Sequence, residues 1–136
     1  MIDVIQIIRQ YMLDQATIYA RVGNQIYGGE IPTNVTDDWT SPDEVTETLY
    51  LESDIEADST VPVARGEVTV NCYAPSVTRA IELAEVVVDA LDDTEGEDVL
   101  GHRLAAIDHE SGPDVEIDPE LGWRSAIVTF AIVIIE

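Results

Sequence analysis

Arg65-Gly66-Glu67-Val68-Thr69-Val70-Asn71-Cys72-Tyr73-Ala74-Pro75-Ser76 alternates, turns, and runs at once into an alanine-containing segment ending at Leu91. From Ala64 to Tyr73, Val68, Val70 and Cys72 share one face and Glu67, Thr69 and Asn71 the other. This is the period of a strand with one side on a core. Pro75-Ser76 then changes the period. Ser76 is placed as an N-cap, and Val77, Ala80, Ile81, Ala84, Val87, Val88 and Leu91 recur at helical steps. The acids at the far end of this helix, Asp89, Asp92, Asp93 and Glu95, oppose its dipole, a penalty that salt reduces.

A second helix opens the chain. Asp3 sits at the N-cap with Gln6 three residues on, and Ile2 and Ile7 are spaced for a hydrophobic staple. Val4, Ile5, Ile8, Met12, Ala16 and Tyr19 form one stripe, Arg21 suits the C-terminal dipole, and Gly23 ends the helix. Between the helices lie a short extended piece (Gln25 to Tyr27), a Gly28-Gly29 break, an aperiodic loop from Glu30 to Pro42, an alternating strand from Thr46 to Ser53, and an acidic loop from Ile55 to Pro62. After the second helix come a turn framed by Gly96 and Gly101, a strand from His102 to His109, a loop-like stretch from Glu110 to Gly122, and a last strand from Ser125 to Ile135. Val115-Glu116-Ile117 has the makings of an extended pairing edge. The last strand is apolar on both faces, which predicts that it is central in its sheet or covered on both sides. The pattern predicts one α+β domain over residues 1–136: a mostly antiparallel sheet of about four strands with two helices packed on one face.

Charge bounds the function. The chain has no lysine, and six arginines stand against 28 acids, for a formal net charge of −22. At low ionic strength so much like charge drives the compact state apart, whereas molar salt shortens the Debye length to about 3 Å. The hydrophobic share of 46% is ample for a core, so the composition predicts a folded domain adapted to concentrated brine. A specific nucleic-acid ligand is disfavoured, because six scattered arginines make no basic stripe, and an anionic membrane is disfavoured for the same reason. The apolar run Ala131 to Ile135 is far below the ~18 residues of a membrane span. The expected location is the cytosol, or a particle assembled there.

No reactive constellation emerges. Cys72 is alone and reads as a small buried hydrophobe. His102, Asp108, His109 and Glu110 are metal-ligand types, but strand geometry points His102 and His109, and likewise Asp108 and His109, to opposite faces. Paired acids such as Asp37-Asp38, Asp92-Asp93 and Glu95-Glu97-Asp98 lack any EF-hand spacing, so loose screening by monovalent cations is expected. Ser76, Ser111 and Ser125 have no nucleophile-elbow context, and Gly28-Gly29 leads to neither lysine nor helix. No catalytic residue, metal ligand or cofactor site is assigned, and an enzyme is not expected.

Three stretches carry a resemblance. They are Val22-Gly23-Asn24-Gln25-Ile26-Tyr27-Gly28-Gly29-Glu30-Ile31-Pro32 after the first helix, the Arg65 to Ser76 strand leading into its helix, and Asp118-Pro119-Glu120-Leu121-Gly122-Trp123-Arg124 before the closing strand. In order and spacing they resemble the tail terminator (tail completion) proteins of long-tailed phages and related viruses of halophilic archaea. The resemblance implies a structural virion protein. It would form a ring, usually a hexamer, that caps the tail tube and joins it to the neck and head, assembled in the cytoplasm of a haloarchaeal host. Its implied partners are copies of itself, the tail tube protein and neck or connector proteins, with DNA free to pass through the lumen. Two other readings compete: a head–tail connector (neck or stopper) protein of the same virion, and a cytosolic ferredoxin-like ligand-binding domain of a halophile.

The candidate contact residues are Trp39 with Asp37 and Asp38, and the turn at Gly122-Trp123. Trp39 in its polar loop is either an interface anchor or a cover folded back over a core edge. Trp123 reads equally as core cover at the mouth of the last strand.

Overall fold

The structure, a computed structural model, describes residues 2–55 and 62–136. Its elements in chain order are α1 (Val4–Leu13), α2 (Ala16–Val22), β1 (Ile26–Gly28), α3 (Thr33–Thr36), a 3-10 turn (Pro42–Glu44), β2 (Thr48–Ser53), β3 (Val63–Ala74), α4 (Val77–Leu91), β4 (Thr94–Val99), β5 (His102–Ile117) and β6 (Arg124–Ile135). The strands form one six-stranded sheet in the order β1-β2-β3-β6-β5-β4. β1 runs parallel to β2 and every other pair is antiparallel. The sheet curls into a half-barrel, helped by register shifts along β5 at Leu104/Ala106, His109/Ser111 and Ser111/Asp114.

The expected four-stranded antiparallel sheet with two helices is therefore corrected to a six-stranded mixed sheet with four helices. Each difference has a physical cause. β4 carries Glu95, Gly96, Glu97 and Asp98, residues depleted in strands, and forms because the 100–101 turn folds it back on β5. β1 is too short to show a period, and is held by its parallel register with Leu49 to Leu51. β5 continues through the loop-like stretch after His109 and takes in the pairing edge expected at Val115-Glu116-Ile117, because β6 pairs with it as far as Ile117. The long loop after Gly29 contains α3, four residues with no buried side chain. The acidic loop expected over Ile55 to Pro62 lies largely outside the described residues.

The caps stand where the sequence places them. Asp3 Oδ1 accepts from the Gln6 amide at 3.1 Å, and Ser76 Oγ accepts from the Arg79 amide at 3.2 Å. The opening helix is nevertheless two helices. The break at Asp14-Gln15 re-phases the apolar face, so Ile18 and Val22 are buried while Ala16 and Tyr19 face solvent. The helices are tied together by Glu47, whose carboxylate receives both Arg21 of α2 and Arg79 of α4.

The core lies between the helices and one face of the sheet. Val68, Val70 and Cys72 of β3 meet Ala126, Val128, Phe130, Ile132 and Ile134 of β6, with Ile7, Ile8 and Met12 of α1 and Leu83, Ala84 and Val87 of α4. β6 is central, one of the two expectations, but its two faces differ: Ile127, Thr129, Ala131 and Val133 on the far side are only half-buried. Among the described residues no helix is long and apolar enough to cross a membrane.

Candidate functional site

The far face of the sheet carries the candidate site. Tyr73 lies near the end of β3, where Ala74-Pro75 turns the chain into α4. Trp123 immediately precedes β6. The register Tyr73↔Ser125 and Ala74↔Arg124 brings the two aromatics to the same end of neighbouring strands. Trp39 arrives from the segment between β1 and β2, and completes the group. Its ring centroid is 5.8 Å from Tyr73 and 5.0 Å from Trp123, and Tyr73 and Trp123 are 6.5 Å apart, edge to face.

Trp39 is buried to 4% exposure, and its indole N–H donates to Thr46 Oγ1 at 3.1 Å. Within the single chain Trp39 is covered by its aromatic neighbours, and it packs with Tyr73 and Trp123 apart from the main core cluster. Trp123 is half-buried and borders an open cleft of about 360 Å³ with Glu30, Ile31, Tyr50 and Tyr73.

The turn before Trp123 is tightly specified. Asp118 Oδ1 accepts from the amides of Glu120 (2.9 Å) and Leu121 (2.7 Å), and the Gly122 amide donates to the Asp118 carbonyl at 2.9 Å. Gly122 has φ +73, and a Cβ there would stand 3.2 Å from Pro42 Cγ. The turn therefore abuts the 3-10 segment, and Arg124 lies 3.6 Å from Asp43 while donating to the Pro75 carbonyl at 3.0 Å.

Trp39, Gly122 and Trp123 thus come together. Asp37 and Asp38 are exposed, Asp37 as the C-cap of α3 and Asp38 on a neighbouring cleft with Asn34, Val35 and Trp39. Tyr50 and Tyr73 are part of the site and were not singled out. The one signal for Tyr73 is its position as the aromatic ending a strand. The Tyr73 phenol is pushed above its ordinary range, first by burial and then by Glu116, Asp118 and Glu52. Burial and then Glu52 and Glu30 do the same to Tyr50, whose hydroxyl donates to the Gly29 carbonyl at 2.7 Å. The cleft is apolar at its floor and acidic at its rim, with both phenols held protonated.

Among the described residues one group of metal-ligand types comes together, and it contains neither histidine. The His109 ring lies 5.8 Å from Phe130, and its Nε2 is within 3.1 Å of Ser111 O and 3.0 Å of Gly112 O, contacts that fit an N–H at that nitrogen. His102 starts β5, opposite Val99. Asp108 instead joins Asp92 and Asp93, their carboxylate oxygens within 4.8 Å of one another on the exposed surface. The Asp92-Asp93 pair was visible in sequence, and the fold adds the third acid. Cys72 is fully buried and its thiol is pushed well up by burial, in line with a packing role.

The chain is similar in fold to a chain of the solved structure described as the virion of a native gene transfer agent (GTA) particle. The match has a TM-score of 0.69 at 15% sequence identity, and covers 98% of this chain and 95% of that one. No protein-family model and no curated protein matches the chain. At 15% identity the likeness is one of fold.

Proposed function

We propose that this chain is a structural protein of a phage-type particle, and within it the tail terminator: a ring that caps the tail tube and joins it to the neck. The carrying observation is the end-to-end fold likeness, covering nearly all of both chains, to a component of a gene transfer agent virion. The order of the three resembling stretches supports the finer role: one runs from the end of α2 through β1, one is β3 with the turn into α4, and one is the turn between β5 and β6.

The physical character of the surface agrees with this reading. Arg9, Arg21, Arg79, Arg103 and Arg124 each engage an acceptor within the chain, which leaves the surface dominated by acid. A ring lumen lined by such a surface repels DNA and lets it pass without adhering. A surface of this charge also suits a particle assembled in the salt-rich cytoplasm of a haloarchaeal host, where screening allows like-charged copies to pack.

Electron microscopy of the purified chain in molar KCl tests the proposal, followed by mixing with the tube protein and the connector protein of the same genome. Rings of uniform size that stop tube growth are expected. Rings that bind connector components on both faces would replace the terminator role with that of a neck protein. Isolated monomers that bind neither would overturn the proposal.

A further inference from the structure

The outer edge of β5 changes character along its length. Over residues 102–107 it is paired with β4. Beyond β4 the edge is first blunted. The His109 amide donates to Asp92 Oδ1 at 2.8 Å, His109 Nε2 lies against the carbonyl oxygens of Ser111 and Gly112, and Pro113 has no N–H to offer.

Over residues 114–117 the edge is open. The Asp118 amide donates to the Trp123 carbonyl at 2.9 Å, and the register Ile117↔Arg124, Glu116↔Ser125 continues from that pair. In an antiparallel ladder, hydrogen-bonded and non-bonded pairs alternate. Asp114 and Glu116 therefore turn their backbone groups to β6, and Val115 and Ile117 turn theirs outward. Among the described residues no hydrogen bond reaches those outward groups.

The side chains of this stretch sort by face. The rows Cys72↔Ala126↔Val115 and Ala74↔Arg124↔Ile117 place Val115 and Ile117 on the helix side of the sheet. They extend the core face past β6, and are 44% and 56% exposed. Val77, Ile81 and Val88 recur at helical steps on one flank of α4 and are half-buried. Glu82, near Arg21 of α2, marks the other flank, and Asp92, bonded to His109, turns the first toward β5. Asp114 and Glu116 belong to the opposite face of the sheet, in register with Ile127 and Ser125.

A strand added at this edge would lay one set of side chains beside Val115, Ile117 and the α4 flank, and the alternate set beside Asp114 and Glu116. Apolar residues suit the first set and cations the second. A second copy is the wrong occupant, because pairing this edge with itself sets Asp114 and Glu116 against the same acids.

We infer that the 114–117 edge of β5 accepts an extended segment of a different protein, in which apolar residues alternate with lysine or arginine, as a further strand of the sheet. The inference goes beyond the ring proposed above and does not depend on it.

The probe is a short peptide of alternating valine and arginine, set against a block peptide of the same composition. Both are added to the whole chain in molar KCl, where adhesion by charge alone is screened. The alternating peptide should bind at least about tenfold more tightly than the block peptide. In the free chain the Val115 and Ile117 amides should exchange with solvent quickly and the Glu116 amide slowly, and the bound alternating peptide should slow the first two. Ile117→Lys, at an exposed position, should keep the parent's unfolding temperature and weaken binding by about tenfold or more. Val115→Pro, which removes one outward N–H, should weaken it as well. Equal binding of the two peptides, binding of neither, or a bound peptide that leaves the Val115 and Ile117 amides in fast exchange would overturn the inference. Amides of both residues that slow with rising protein concentration, without peptide, would give the edge to a second copy and overturn it equally.

Discussion

The ring of Trp123 stands edge-on to the ring of Trp39, centroids 5.0 Å apart and planes at 83°. This contact joins the segment between β1 and β2 to the β5–β6 turn, two regions with no backbone pairing to each other. It gives the candidate surface its rigidity, because Trp39 is also fixed by its hydrogen bond to Thr46.

Trp39→Ala should therefore act mainly on stability. Removing a buried indole is expected to cost about 3–5 kcal/mol, read by urea unfolding in molar KCl. Trp39→Phe keeps a ring and loses the Thr46 hydrogen bond, for a cost nearer 1–2 kcal/mol. Trp123→Ala, at a half-buried site, should cost less than Trp39→Ala.

Glu67 should contribute to acid stability in a direction unusual for a carboxylate. The neighbouring Glu110 carboxyl, by hydrogen bond and then by charge, raises the Glu67 carboxyl above its ordinary value of 4.5. The folded state thus holds a proton that the unfolded chain releases more readily. Stability from this source is full below the ordinary carboxylate range and is lost as pH rises through the folded value. Mild acidification from neutral pH in low salt should raise the unfolding midpoint, and Glu67→Gln should flatten the dependence. A midpoint that falls steadily on acidification, unchanged in Glu67→Gln, would refute this.

The three carboxylates of Asp92, Asp93 and Asp108 should make stability depend on salt. Asp93 has φ +60, a conformation that asparagine also tolerates, so Asp93→Asn removes charge and keeps the backbone. It should stabilise by a few tenths of a kcal/mol in dilute buffer and by nothing measurable in molar KCl. Unfolding midpoints across a KCl series check both halves of the statement.

Gly112 is required by close approach. Its φ is +91, and a Cβ would collide with the carbonyl oxygen of Ile127 on β6. Gly112→Ala should cost at least about 2 kcal/mol, through backbone strain and forced separation of β5 from β6. An unchanged melting temperature would show that β5 yields at this bulge.

The amino-acid order alone determined the β3–α4 unit, the Asp3 and Ser76 caps, the apolar strand β6 and the identity of most core residues. All of these follow from local periodicity or from a cap within three residues, interactions that adjacent side chains specify. Leu83 and Ile7 fell outside the stripes read from spacing, because helix rotation is set by the partner surface. The tertiary structure alone decided β4, the pairing that makes the short extended piece into β1, the joining of Val115 to Ile117 onto β5 and the break between α1 and α2. Strand pairing supplies the hydrogen bonds there, and no local preference announces it. The candidate surface divides in the same way. Trp39, Gly122 and Trp123 stand out by composition, whereas their convergence with Tyr50 and Tyr73, and the burial of Trp39, arise from contacts between segments distant in sequence.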